Sequence, residues 1–148
     1  MNEVMRIAKR LLRVVLSTAT ISVIGHSGAA LADEITVTLS GQQEIPPVTT
    51  QATGTGTLNV GPDRLISGRV TVAGIAVIAA HIHDAAAGSN GPIVIPLTNA
   101  SDNKNIWVVP TGWKLTDAQF EAYTAGRLYF NMHSEANRSG EIRGQIKP

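Results

Sequence analysis

The sequence predicts an all-β domain: an antiparallel Greek-key β-sandwich or barrel carrying one short helix. Three observations predict it. Apolar and polar residues alternate with period two in short runs, turn signals rich in Gly, Pro, Asn and Asp separate the runs, and only one stretch carries helix signals.

In the first run Ile35, Val37 and Leu39 alternate with Thr36, Thr38 and Ser40, so one face is apolar and the other hydroxylic, as in a half-buried strand. A polar loop follows, stiffened by Pro46-Pro47, whose rings fix φ; Glu44 ahead of them could approach a site or a partner. Further strands are expected over 55–60, 65–73, 77–83, 93–97 and 106–109. Turns fall at Gly61-Pro62-Asp63, Gly74, Gly88-Ser89-Asn90-Gly91-Pro92 and Ser101-Asp102-Asn103. Gly54 and Gly56 within a β-like run imply a bulge or a close backbone approach. Trp107 and Trp113 flank Pro110 and Gly112 and read as packing residues. The one helix is expected over 117–124: Thr116 and Gln119 form a capping-box pattern, Asp117 suits the first turn, and Gly126 can stop the chain. Two last strands, 127–133 and 141–147, are joined by the polar stretch 135–140.

The first 32 residues read as a secretory signal peptide. Arg6, Lys9, Arg10 and Arg13 precede an apolar stretch from Val14 to Ile24, and Ala30-Leu31-Ala32 is an A-x-A cleavage site. The apolar stretch falls short of the ~20 residues of a membrane-spanning helix and is diluted by Ser17, Thr18, Thr20 and Ser22, so no membrane span is expected after cleavage. A periplasmic or secreted location follows. Residues 33–148 then form one domain, long enough for a real core and too short for two. They hold eight basic and ten acidic residues, and this mild acidity without a basic patch gives no footprint for nucleic acid. There is no cysteine, which excludes a lipoprotein, a disulfide and thiolate ligation, so any metal must sit on His, Asp, Glu or Met.

The leader takes His26, and the three remaining histidines fall at two places: Ala80-His81-Ile82-His83 and Asn131-Met132-His133. Residues i and i+2 of a strand share a face about 6.5–7 Å apart, so His81 and His83 point the same way. The apolar row Ile78, Ala80, Ile82 would face the core, leaving Val77 and Ala79 beside the histidines. In the late strand Leu128, Phe130 and Met132 form the apolar row, and Tyr129, Asn131 and His133 the other. If the two strands neighbour one another, His133 completes a triad with His81 and His83. Three neutral imidazoles without thiolate suit Cu(II), Zn(II) or Ni(II), and the Irving–Williams order favours copper, with zinc the alternative. A blue-copper site would need a cysteine, and Met132 faces the wrong way for an axial ligand. Glu135, Glu141 and Asp84 are candidates for a fourth ligand or for a supporting group, Asp84 the weakest because its parity opposes His83. Glu141 and Arg143 share a strand face and could form an ion pair, with the arginine holding a metal-site carboxylate in the sharper version.

Four motifs carry a family resemblance. The stretches Leu39-Ser40-Gly41-Gln42-Gln43-Glu44-Ile45-Pro46-Pro47-Val48 and Ala80-His81-Ile82-His83, the latter with Gly88 and Gly91 behind it, are the first two. Gly126-Arg127-Leu128-Tyr129-Phe130-Asn131-Met132-His133-Ser134 and Gly140-Glu141-Ile142-Arg143-Gly144-Gln145-Ile146 complete the set. In this order they resemble the CHRD domain, named from chordin and widespread in secreted bacterial proteins, over about residues 35–147. The resemblance implies an extracytoplasmic β-sandwich and little about activity. A weaker analogy is to copper/zinc superoxide dismutase, which also has an H-x-H strand pair at its copper. The chain departs from that enzyme in lacking a fourth histidine for the copper, a His/Asp cluster for zinc and a disulfide.

Three functions are compatible with these residues. The first is an exported protein that sequesters, buffers or transfers copper through His81, His83 and His133. The second is a non-enzymatic module that displays loops to a protein or matrix partner, with incidental histidines. The third is a small copper/zinc redox enzyme using an open coordination position, for which no general base is evident and no nucleophile elbow, phosphate loop or hydrolytic carboxylate pair is present.

Overall fold

A computed structural model describes residues 34–148; the leader expected over 1–32 lies outside the described residues. The chain forms β1 (Ile35–Ser40), a 3-10 turn (Gly41–Gln43), β2 (Thr53–Val60), β3 (Ile66–Ala73), β4 (Val77–Asp84), β5 (Ile93–Pro96), β6 (Thr98–Ala100), β7 (Asn103–Val108), α1 (Asp117–Thr124), β8 (Leu128–Ser134) and β9 (Ile142–Gln145). All nine strands join one antiparallel sheet in the order β5-β4-β8-β9-β1-β2-β3-β7-β6. The predicted all-β antiparallel fold is thus realised as a single sheet.

The sheet nearly closes on itself. Its two outer strands, β5 and β6, are consecutive in the chain with only Leu97 between them, and Leu97 N–H donates to the Ala80 carbonyl at 2.9 Å. One stretch therefore starts beside β4 and ends beside β7, which removes most exposed edge and makes the sheet barrel-like. The expected strand at 93–97 is thereby split and extended, and β7 begins three residues before the expected 106. Thr98 through Asn105 is almost wholly polar and has no apolar alternation to mark it as strand. What makes it one is pairing with β7 across the two-residue turn at Ser101-Asp102.

The inside of the barrel is the core. Leu39, Val70, Ile82, Phe130, Met132 and Ile142 are fully buried there. Gly54 and Gly56 face inward on β2, and the reason is close approach: a Cβ on Gly56 would lie 2.8 Å from the Phe130 ring. The register of β2 against β1 and β3 runs unbroken through both glycines, so the alternative of a bulge does not apply. Register shifts occur elsewhere, and one lies on β4, where a bulge displaces its pairing with β8 between Val77 and Ala79. It reverses the expected parity at the start of that strand: Val77 packs against the core and Ile78 is 43% exposed. An extra residue in one strand flips every side chain before it, and nothing in the local alternation announces it.

The helix forms as its caps dictate. Thr116 and Gln119 make both bonds of a capping box. At the other end Gly126 N–H donates to the Tyr123 carbonyl and Arg127 N–H to the Ala122 carbonyl, both at 2.9 Å, a Schellman ending with Gly126 at φ +66°. Ala122 is buried, and Phe120 and Tyr123 pack on the core. Among the described residues no helix is long and apolar enough to cross a membrane.

β8 differs from every other strand in being buried at all seven positions. Its inner row, Leu128, Phe130 and Met132, fills the barrel. Its outer row, Tyr129, Asn131 and His133, is polar or aromatic, so something else must cover it.

Candidate functional site

β4 and β8 are adjacent and antiparallel, with His81 opposite Asn131, His83 opposite Tyr129 and Ala79 opposite His133. His133 therefore sits diagonally from His81 on the outer face of the sheet, within reach of a long side chain. The rings of His81 and His133 have centroids 5.0 Å apart, and His83 lies 5.6 Å from His81 and 6.0 Å from His133. One nitrogen from each of the three comes within 4.8 Å of the others. The adjacency that the sequence left conditional is met.

Backbone carbonyls orient two of the rings. His83 Nδ1 lies 2.9 Å from the Gly91 carbonyl and His133 Nδ1 lies 3.0 Å from the Arg138 carbonyl. A carbonyl only accepts, so in each neutral ring the proton sits on Nδ1 and the lone pair on Nε2. His133 Nε2 faces His81 Nδ1 at 3.1 Å. His83 Nε2 is buried without a hydrogen-bond partner. The loop carrying the Gly91 carbonyl can pass this close because Gly91 has no side chain: a Cβ there would meet the Asp84 carbonyl oxygen at 1.9 Å.

The site keeps its imidazoles neutral. Burial, then the neighbouring His133 and His83, bring the His81 pKa down to about 4. Burial is also the main cause of the lowered values of His83 and His133, opposed at each by its backbone carbonyl partner. The unfolded rings titrate near 6.5, so as pH falls from about 6.5 towards about 4 the unfolded chain binds more protons than the folded one. The stability that the neutral cluster permits is present above that window and is lost on acidification through it. In the metal-free protein the His81 ring resonances are expected to titrate near pH 4; a midpoint at 6.5 in an NMR titration would contradict the buried cluster.

A polar layer surrounds the histidines. The Tyr129 ring stacks on His83 at 5.0 Å and 14°, and its hydroxyl accepts a bond from Gly91 N–H at 3.1 Å. On Tyr129 also lies the Arg143 guanidinium, 3.5 Å from the ring centroid. Asn131 Nδ2 donates to Glu44 Oε1 at 2.5 Å, linking β8 to the loop after β1. Burial raises the Glu44 pKa despite that bond and the nearby Arg143 charge. These contacts explain why the outer row of β8 is as buried as the inner one. Glu44 does approach the site, through Asn131.

The three candidate carboxylates do not join the histidines. Asp84 accepts from Arg127 Nε at 3.0 Å, and Glu135 pairs with Arg138 at the surface. Glu141 accepts from Thr50 Oγ1 at 2.6 Å and from Ser134 Oγ, and although burial opposes it, the bonds from Ser134, Thr50 and Asn137 hold its carboxyl below the usual range. The expected Glu141–Arg143 ion pair is absent. Glu141 precedes β9 and turns towards Thr50 and Ser134, whereas Arg143 lies within β9 beneath Asn90. Tyr129 and Asn131 were visible in the row of His133 without any mark of a role. The Glu44–Asn131 contact, 87 residues apart, had no signal at all. Trp107 and Trp113 pack against the core, as expected.

Comparison with known families agrees with the resemblance these motifs carry: a family model described as the CHRD domain matches residues 35–146. No curated protein and no solved structure gives a significant match to the chain.

Proposed function

The chain belongs to the CHRD domain family, and we propose that this member binds copper outside the cytoplasm through His81, His83 and His133, to sequester, buffer or transfer it. The observation that carries the reading is the His83 Nε2 atom, buried without a partner beside two other imidazole nitrogens. Leaving a buried polar atom unsatisfied costs about 1–3 kcal/mol, and a cation held by three lone pairs removes that cost. The 3.1 Å between His81 Nδ1 and His133 Nε2 is close to the separation of about 3.3 Å that two nitrogens at ~2.0–2.1 Å from one tetrahedral ion would have. His81 would present its Nδ1 lone pair by carrying its proton on Nε2.

The chemistry of the donors favours copper. All three are imidazoles, no thiolate is available, and the Irving–Williams order places Cu(II) above Zn(II) at such a set. Depressed basicity keeps protons from competing at neutral pH. The Gly91 and Arg138 carbonyls supply the outer hydrogen bonds that hold ligating histidines in one tautomer. Storage or transfer is a better fit than catalysis because no general base is evident, and Asp84, Glu135 and Glu141, the candidate supporting acids, are engaged elsewhere.

Titration of residues 33–148 with Cu(II) and with Zn(II) tests this. The expected result is one equivalent of copper, bound more tightly than zinc, with nitrogen hyperfine structure from imidazoles in the Cu(II) spectrum. Tighter zinc binding would replace copper by zinc. No uptake of either ion would overturn the reading and leave a module that binds a protein or matrix partner.

A further inference from the structure

Tyr129, which stacks on His83, also carries Arg143, and Arg143 borders a cavity that none of the three histidines lines. This cavity, of about 480 Å³, lies between β1, β9 and the loop over 85–92, bordered by Thr36, Thr38, Gln43, Arg143, Gln145 and Lys147. Its size is within the ~300–1,000 Å³ usual for small-ligand sites. Two of its bordering residues are cations and none is an acid.

Arg143 is the unusual member. Only 2% of it is exposed, yet no carboxylate among the described residues lies within 4.0 Å of it. Its bonds go to neutral amide oxygens: Nη1 donates to Asn90 Oδ1 at 3.3 Å and Nη2 to Gln145 Oε1 at 3.2 Å. Those two bonds leave three of the five guanidinium N–H groups without an acceptor among the described residues. Its flat face rests on Tyr129, which fixes the plane of the fork. A buried charge is costly unless a counter-charge meets it. Glu44, the acid whose charge it feels, is bonded to Asn131 and has its ionisation opposed by burial.

The other polar groups sort into supports and free donors. Gln145 gives its amide N–H groups to the Ala85 and Gly126 carbonyls, and Gln43 gives its own to the Thr38 carbonyl and Ser40 Oγ, so both are structural. Lys147 at the rim is exposed, as are Thr36 and Thr38 with their hydroxyls on the outer face of β1.

We propose that this cavity binds an oxyanion group, a carboxylate, sulfate or phosphate, with Arg143 as the fixed recognition fork, Lys147 as the second charge, and the Thr36 and Thr38 hydroxyls as additional donors. The guanidinium matches such groups in shape, and its preset plane reduces the ordering cost of binding.

The experiment is an NMR titration of metal-free residues 33–148 with sodium citrate, sodium sulfate and sodium phosphate, each against sodium chloride at matched ionic strength. Saturable shifts are expected at Thr36, Thr38, Gly88 and Lys147 with at least one of the three anions, and none with chloride. Citrate alone would identify an organic carboxylate as the ligand, and sulfate or phosphate an inorganic or esterified one. Lys147→Glu, an exposed change that leaves the fold intact, is expected to weaken binding at least tenfold. Arg143→Gln is expected to abolish it; should that variant fail to fold, Lys147→Glu decides. Binding absent for all three anions, or unchanged in Lys147→Glu, would overturn the proposal.

Discussion

Replacing His133 by alanine is expected to lower copper affinity by more than 100-fold and to remove the thermal stabilisation that copper confers. Outer-shell partners of a metal site typically contribute about 10–100-fold, and a direct ligand should exceed that. His133 is the sharpest choice because its Nε2 already faces His81 Nδ1 at 3.1 Å. It is also 7% exposed, and its loss strands the Arg138 carbonyl, so part of any effect could come from the fold. His81→Ala separates the two causes. His81 is only partly buried and its Nδ1 bonds to no backbone group, so its removal should spare the apo fold while removing a ligand. A ligand present at 100 times its dissociation constant stabilises the native state by about 2.7 kcal/mol. Calorimetric melts with and without copper should therefore show a rise for the native protein and none for either variant. Copper retained at full affinity by both variants would place the ion elsewhere.

Phe130→Ala should cost about 3–5 kcal/mol, the usual range for emptying a fully buried aromatic site. Phe130 is 0% exposed and packs where Gly56 leaves room, so the hole opens between two non-consecutive strands in the middle of the barrel. The reciprocal change, Gly56→Ala, places a Cβ 2.8 Å from the ring and should cost about 1–3 kcal/mol by overpacking. Because both act on one space, the costs should not add: in the Phe130→Ala background, Gly56→Ala should cost less than in the native protein. Urea denaturation of the four proteins measures this. Additive losses would show that the two residues do not share the space.

Much of the site was legible because strand parity is local. His81 and His83 share a face whatever the rest of the chain does, and so do Tyr129, Asn131 and His133. Only their meeting depended on β4 lying beside β8. Carboxylate roles were less legible. Asp84, Glu135 and Glu141 are near the histidines in sequence, but Arg127, Arg138 and the Ser134–Thr50 pair claim them in space.

By itself the sequence determined the antiparallel β class, the capped helix over Asp117–Thr124, and the parity that sets all three histidines outside the core. These depend on alternation and caps, whose physics acts over a few residues. Only the tertiary structure decided the β4–β8 register, the bulge that exposes Ile78, the recruitment of polar residues 98–100 as a strand, and the enclosure of Arg143 beside Tyr129. The first two are contacts between β4 and β8, some fifty residues apart in the chain, and the last two depend on strand pairing that the alternation of residues 98–105 and 143 does not mark.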